Sequence, residues 1–452
     1  MTSFFVQPVP KPENIPELKP LYEHQKTDPN FVTNLENSLQ MALNKASQGL
    51  NPLLFKALPF GTGKWPITFD DYANFLACFS HWIPHQDNNP AWLAPAPPLF
   101  EHQEVFDHLC FFYWLIDQPV CPGGQVLQRY YKWFEDFLVD YAKLWGSILD
   151  TPASFNDDIL NSFLKFSSKY RVQDSMIGGH PNEPWHTFND FFSRKLNPGL
   201  RPISGSGDNK VVTVPADCTY KQYYKIDSNS DIVDASGTKT SVVIKGTHAY
   251  GNVKQLLKNS KYADYFADGY FIHFFLGPYS YHRFHAPVSG EVMECYPLVG
   301  QVYLKVDIGG QQFQAYDKTT DGYEFDQARG VLTIDTSGSP DGNVGIVAVV
   351  PVGMCQVSGV NMTHKINTTC RKGDEFGYFT FGGSDIIVLF QKGANPKYNP
   401  TFFNNPPPYS PYGTELAKVS PQSRYKLPKI IAFIVLAILL LGFGYWIWRT
   451  VV

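Results

Sequence analysis

The chain has 452 residues, a formal net charge of −4 and an aromatic content of 15%, with 26 Tyr and 35 Phe. That length suits two to three domains with substantial apolar cores. The slight acidity and the lack of a long basic run argue against nucleic acid as the main partner. The cysteines (Cys78, Cys110, Cys121, Cys218, Cys295, Cys355 and Cys370) are odd in number and include no Cys-x-x-Cys pair. They fit neither a disulfide framework nor a zinc site, so the expectation is a reducing compartment and no metal.

In chain order, residues 1–30 are proline-rich and read as an extended arm without a signal-peptide pattern. Residues 31–185 read as a helical accessory domain. Phe31, Leu35, Leu39 and Leu43 recur at four-residue spacing, and Thr68-Phe-Asp-Asp opens a further helix. From Val126 to Leu149, the residues Leu127, Tyr130, Phe134, Phe137, Tyr141, Leu144 and Ile148 form one apolar stripe, the mark of a packed helix face. His81, His85, His102 and His108 show no metal-ligand spacing.

After Gly178-Gly-His-Pro-Asn-Glu-Pro the texture changes to short strands separated by turns. They are expected at Val211–Val214, Ser241–Ile244, Tyr270–Phe275, Glu291–Tyr296, Val302–Val306, Val331–Ile334, Val344–Val350 and Ile386–Phe390. One helix interrupts them near Asn252–Lys258. Sequons at Asn361 and Asn367 are expected to stay unused, since this segment should not meet the secretory lumen.

Residues 393–428 are rich in Pro and Asn and read as a semi-extended linker. Arg424, Lys426 and Lys429 then precede Ile430–Trp448, nineteen residues without a charge, closing on Tyr445, Trp446 and Trp448. This is close to the ~20 residues that span a bilayer, with aromatics at the interface. A C-terminal tail anchor at 430–448 follows, with the bulk of the protein on the cytosolic side by the charge asymmetry. Endoplasmic reticulum and mitochondrial outer membrane both stay open.

The chemistry gathers around Lys372-Gly-Asp-Glu-Phe-Gly-Tyr-Phe-Thr-Phe-Gly-Gly-Ser-Asp-Ile-Ile-Val-Leu-Phe390. Gly382 and Gly383 can take backbone conformations closed to other residues, and a Gly-Ser bond between strands suits attack by the Ser384 hydroxyl on its own preceding carbonyl. A serine is a poor nucleophile until an imidazole takes its proton. Three more stretches join it: Phe188-Asn-Asp-Phe-Phe-Ser-Arg-Lys-Leu-Asn-Pro-Gly-Leu-Arg-Pro-Ile203, Val214-Pro-Ala-Asp-Cys218, and Leu276-Gly-Pro-Tyr-Ser-Tyr-His-Arg-Phe-His-Ala-Pro-Val-Ser-Gly290.

Together and in this order, the four stretches resemble the phosphatidylserine decarboxylase family, over roughly residues 186–392. The helical region before them is similar to the N-terminal extension of fungal members, some of which decarboxylate free aromatic amino acids such as tryptophan. The resemblance implies an α+β fold with a helical N-terminal domain, a β-rich catalytic domain and, with the tail, one transmembrane helix. It also implies self-cleavage between Gly383 and Ser384, which leaves a pyruvoyl group derived from Ser384 as the covalent cofactor on the shorter of two chains. Asp217, His285 and Ser384 would form the catalytic triad, with His285 as base, while His282 would line the substrate site.

Two departures from the family pattern stand out: Cys218 replaces the usual Gly, reducing backbone freedom, and Asp385 replaces the usual Thr, adding negative charge beside the expected pyruvoyl. The substrate implied is phosphatidylserine, decarboxylated to phosphatidylethanolamine. A free L-amino acid such as tryptophan and a catalytically inactive, membrane-tethered scaffold stay open as alternatives, as does a homo-oligomer. A serine hydrolase is disfavoured, because the residues after Ser384 read as strand and no Gly-x-Ser-x-Gly is present.

Overall fold

The structure, a computed structural model, describes residues 4–59, 61, 63–93, 102–234, 238, 242–244, 248–315, 325–356 and 359–422. Its first residues are folded, contrary to the extended arm expected over 1–30. Pro12 and Pro16 each sit in the first turn of a 3-10 helix, where a missing N–H costs nothing. The helix Lys19–Thr27 follows, and Ile15, Leu18 and Leu21 are buried.

The helix Pro29–Gly49 starts where Asp28 accepts the Phe31 N–H at 3.0 Å, and it buries Phe31, Leu35 and Leu39. Thr68 and Asp71 close a reciprocal capping box that starts the helix Phe69–His81. The stretch 126–149 is two helices, Leu127–Tyr130 and Lys132–Leu149, broken where Tyr131 is extended (ψ 103°). The break turns Tyr130 outward, and the inner face instead carries Phe134, Phe137, Leu138, Tyr141, Trp145 and Leu149.

The β-rich half is built on one antiparallel sheet. Its order is Thr369–Cys370, Gly290–Leu298, Arg329–Asp335, Ile346–Gly353, Ser384–Phe390, Tyr270–Leu276, Cys218–Ile226 and Tyr409–Ser410, with Ile232–Val233 added beside Cys218–Ile226. The expected strands at 211–214, 270–275, 291–296, 331–334, 344–350 and 386–390 appear, with shifts of a few residues at their ends. The stretch Val302–Lys305 is not a strand: pairing begins only at Val306, and Val302 gives its carbonyl to Gln128 of the helical half. A short helix at Val253–Leu256 matches the one expected near 252–258.

Residues 393–422 are not a linker. Phe402 is buried against Tyr220 and Phe274, Leu416 and Ala417 are buried, and Tyr409–Ser410 adds an edge strand to the sheet. The prolines there flank short strands and a 3-10 turn capped by Asn399. No helix among the described residues is long and apolar enough to cross a membrane. The anchor expected at 430–448 lies outside the described residues.

Side chains alternate across the central strand Ser384–Phe390. Ile386, Val388 and Phe390 face a core that runs without interruption from Ile15 to Val419, so the helical half and the sheet share one interior. Ile387 and Leu389 face a smaller second core with Phe271, Val350 and Val352.

Candidate active site

Ser384 opens the central strand, paired with Gly353 on one side and Leu276 on the other, and is fully buried. The loop before it is held by backbone bonds. The Met354 N–H donates to the Gly383 carbonyl at 2.8 Å, and the Gly383 N–H donates to the Cys355 carbonyl at 3.2 Å. The carbonyl that Ser384 would attack therefore already carries a donor, the arrangement that stabilises a developing oxyanion. Gly382 has φ 150°, a conformation that favours glycine, whereas a side chain at Gly383 would meet only ordinary contacts.

Side chains from outside the sheet pin both flanks of this loop. The Asn189 Oδ1 accepts the Phe381 N–H at 2.9 Å, while its Nδ2 donates to Asp150 Oδ1 at 2.8 Å. Trp145 meets Phe381 edge-on, and Tyr113 Oη accepts the Gln356 N–H at 3.1 Å.

The imidazole on Ser384 is His282. Its Nδ1 lies 3.3 Å from Ser384 Oγ, and its Nε2 lies 3.4 Å from the Pro278 carbonyl. A carbonyl can only accept, so Nε2 carries the proton and Nδ1 offers its lone pair to the serine hydroxyl. Burial pushes the His282 pKa down to about 3, helped by the positive charge of Arg194, which keeps the ring neutral. Phe192 stacks on it at 3.9 Å and fixes its plane.

The structure does not bring Asp217, His285 and Ser384 together as a triad. His285 is occupied on both nitrogens, with Nδ1 donating to the Gly373 carbonyl at 2.8 Å and Nε2 accepting from Tyr281 Oη at 3.1 Å. Burial lowers its pKa to about 4, and Arg283 and Arg201 add to the effect. Asp217 is saturated by Arg201, with Nη2–Oδ2 at 2.6 Å and Nε–Oδ1 at 3.0 Å, and by the Tyr412 N–H at 2.8 Å. Tyr412 touches both expected partners: its N–H donates to Asp217, and its ring stacks on His285 at 3.7 Å and 3°.

Both departures find a structural explanation. Cys218 does not have positive φ, so a side chain there puts no strain on the backbone. Asp385 points away from Ser384, to the other face of the sheet. There its Oδ2 lies 2.8 Å from His273 Nε2, both residues being fully buried. Its charge is therefore not aimed at the substrate side, as the sequence had suggested.

Among the residues that sequence reasoning passed over, Arg194 stood inside the quoted Phe-Phe-Ser-Arg motif and was legible there. The Met354 amide, Asn189 and Tyr412 have contacts that only the fold creates.

A profile of the phosphatidylserine decarboxylase family matches residues 188–404, the segment that carries Ser384, His282, His285 and Asp217. Similar proteins include a phosphatidylserine decarboxylase proenzyme 2 of rice, 30% identical over 58% of this chain and 37% of its own. Proenzyme 2 of Komagataella phaffii is 32% identical over 54% of this chain and 22% of its own. The Fusobacterium nucleatum phosphatidylserine decarboxylase proenzyme is 31% identical over 47% of this chain and 62% of its own. This chain thus spans less than two thirds of each of these decarboxylase relatives. The helical half lies before the matched segment.

Proposed function

We propose that the chain is the proenzyme of a pyruvoyl-dependent carboxy-lyase that converts phosphatidylserine to phosphatidylethanolamine. The observation that carries this reading is the meeting of Ser384 Oγ, a neutral His282 Nδ1 and an amide-held Gly383 carbonyl within a decarboxylase-family segment.

In this reading Ser384 Oγ attacks the Gly383 carbonyl carbon and its proton passes to His282 Nδ1, while the Met354 N–H takes up the charge on the oxygen. The C–N bond breaks as His282 returns the proton to the Ser384 nitrogen, leaving an ester. Loss of the Ser384 Cα proton expels Gly383 as a carboxylate, and water replaces the nitrogen of the resulting dehydroalanine. Ammonia leaves, and a pyruvoyl group remains at position 384. That group supplies the electron sink when CO2 departs from an α-amino acid.

The surroundings fit such a group. Position 384 is fully buried, His282 Nδ1 faces it and can take and return a proton there, and Phe192 packs on that imidazole and meets Phe381 edge-on. Asp217 and His285 act in this reading as the brace that holds the segment Tyr281–His285 against Arg201 and Tyr412. The uncharged stretch 430–448 supports a membrane anchor that brings the site to a lipid surface.

Intact mass under denaturing conditions, beside a Ser384→Ala variant, tests the proposal. Two chains meeting at the Gly383–Ser384 bond, with the shorter one pyruvoyl-capped, are expected from the native sequence, and one full-length chain from the variant. The processed protein should release CO2 from carboxyl-labelled phosphatidylserine. A native protein that stays uncleaved overturns the reading.

A further inference from the structure

A cavity of about 590 Å³ opens at the end of the central sheet remote from Ser384. The strand Ser384–Phe390 separates the two and spans roughly 20 Å. The cavity sits where Arg329–Asp335 ends, Ile346–Gly353 begins and Gln391 leaves the central strand, with Tyr262 and Tyr265 completing the wall. Its size lies within the ~300–1,000 Å³ of small-ligand sites. Hydrogen bonds fix its frame. Gln391 Oε1 accepts the Ile346 N–H at 2.8 Å, Asn343 Oδ1 accepts the Gly345 N–H at 2.9 Å, and the Gln422 N–H donates to the Asn343 carbonyl at 2.8 Å.

The wall is aromatic and anionic. The rings of Tyr262 and Tyr265 lie 5.8 Å apart at 40°, and Tyr265 is 44% exposed. Asp335 Oδ1 accepts the Ser337 N–H at 2.8 Å, while its Oδ2 has no partner among the described residues. Burial raises the Tyr262 phenol pKa, and Glu294, Tyr265, Asp335 and Glu291 raise it further. None of these three carboxylates forms an ion pair among the described residues; Glu294 is held by the Ser260 and Thr333 hydroxyls and the Lys261 amide. The nearby Asp264 is already paired with Lys254. Among the described lining residues there is no Lys or Arg. Gln391 is 6% exposed, and its Nε2 has no partner among the described residues, which leaves a buried donor for an oxygen.

A pair of phenol rings beside carboxylates that no cation offsets attracts an ammonium group. A metal ion fits less well, since no group of ligating side chains among the described residues could hold one. We propose that this cavity binds an organic ammonium ion that also carries an oxygen acceptor. That chemistry is shared by free amino alcohols such as choline and by the choline or ethanolamine headgroup of a phospholipid. The ammonium would lie against Tyr262, Tyr265 and Asp335, with Gln391 Nε2 donating to the oxygen. The site is separate from Ser384 and does not depend on the reaction proposed there.

The test is calorimetric binding of choline, glycerophosphocholine and 3,3-dimethylbutanol, the uncharged isostere of choline, to the full chain. Choline should bind and the isostere should not. Tyr265→Ala and Asp335→Asn should each weaken choline binding about three- to thirtyfold, with unfolding midpoints close to native because neither side chain is in the core. Glycerophosphocholine bound as tightly as choline supports a lipid headgroup as the source, and choline bound alone supports a free amino alcohol. Equal binding of the isostere would make the cavity merely apolar and overturn the proposal. So would unchanged choline affinity in both variants, or no binding by the native chain. Choline binding that appears only after Arg424→Gln with Lys426→Gln would make the chain's own cations the occupant, and this too overturns it.

Discussion

Two interiors meet on the strand Ser384–Phe390, and they are built from different parts of the chain. The face of Ser384, Ile386 and Val388 opens into a core closed largely by helices, so the reactive end of the sheet is roofed by Trp145, Tyr113 and Asn189 from outside the sheet. The face of Asp385, Ile387 and Leu389 is closed mainly by the sheet's own strands and the short helices Val253–Leu256 and Ala263–Phe266. The alternation of a strand thus separates two neighbouring residues completely: Ser384 faces the His282 imidazole, and Asp385 is hydrogen-bonded to His273 on the far side. A change at the residue after Ser384 can therefore alter the protein's interior without touching the face that meets His282.

The largest effect expected from this contrast lies on the reactive face. His282→Asn removes the base from Ser384 and should slow cleavage at Gly383–Ser384 by about 10²–10⁴, read as the rate of chain separation after denaturing electrophoresis. His285→Asn should lower stability and leave the cleavage rate far closer to native. A larger kinetic loss at His285 than at His282 would restore the Asp217–His285–Ser384 triad.

The far face should respond in stability instead. His273→Leu strips Asp385 of its imidazole partner in a dry core, and about 3–5 kcal/mol of stability should be lost. The double change His273→Leu with Asp385→Leu should recover most of that loss, since apolar replacements of a buried pair are often neutral. Urea midpoints decide it, and a double variant as unstable as the single one would mean that the pair is not a self-contained unit.

The smallest effect separates the helical half from the sheet. Burial holds His108 at about 3 and His85 at about 4, well below the ordinary histidine value of 6.5. The unfolded chain therefore binds these protons first as pH falls. The stability that the neutral rings contribute is whole above pH 6.5 and drains away toward pH 3–4. His108→Gln should make the fall in stability between pH 7 and pH 5 shallower by on the order of 1 kcal/mol. Parallel curves for native and variant would exclude this histidine as a source of the acid sensitivity.

What the sequence disclosed and what it hid follow from range of contact. The strands around Ser384, the helix periodicity from Phe31, the helix start at Thr68 and the Gly-Gly-Ser turn were legible because neighbours in sequence decide them. The choice between His282 and His285 was not. Both occupy one short motif, and only the fold reveals that Gly373 and Tyr281 occupy one ring while Ser384 meets the other. Residues 393–422 looked like a linker because proline and asparagine serve loops and edge strands equally well. Their burial depends on Tyr220 and Phe274, more than a hundred positions away. The helical half looked chemically silent because its part in the site consists of single contacts, Tyr113 to Gln356 and Trp145 to Phe381, that leave no periodic trace.

The route of the chain after Ser384 has a mechanical consequence. The fragment that begins at this serine would hold the central strand of the sheet, then fold back to supply an edge strand at Tyr409–Ser410 and the ring that stacks on His285. A cut before Ser384 would therefore leave two pieces interlocked like the halves of a clasp. Neither could depart without opening the sheet along its middle, so parting the pieces and melting the protein would be one event, and dilution alone would not separate them.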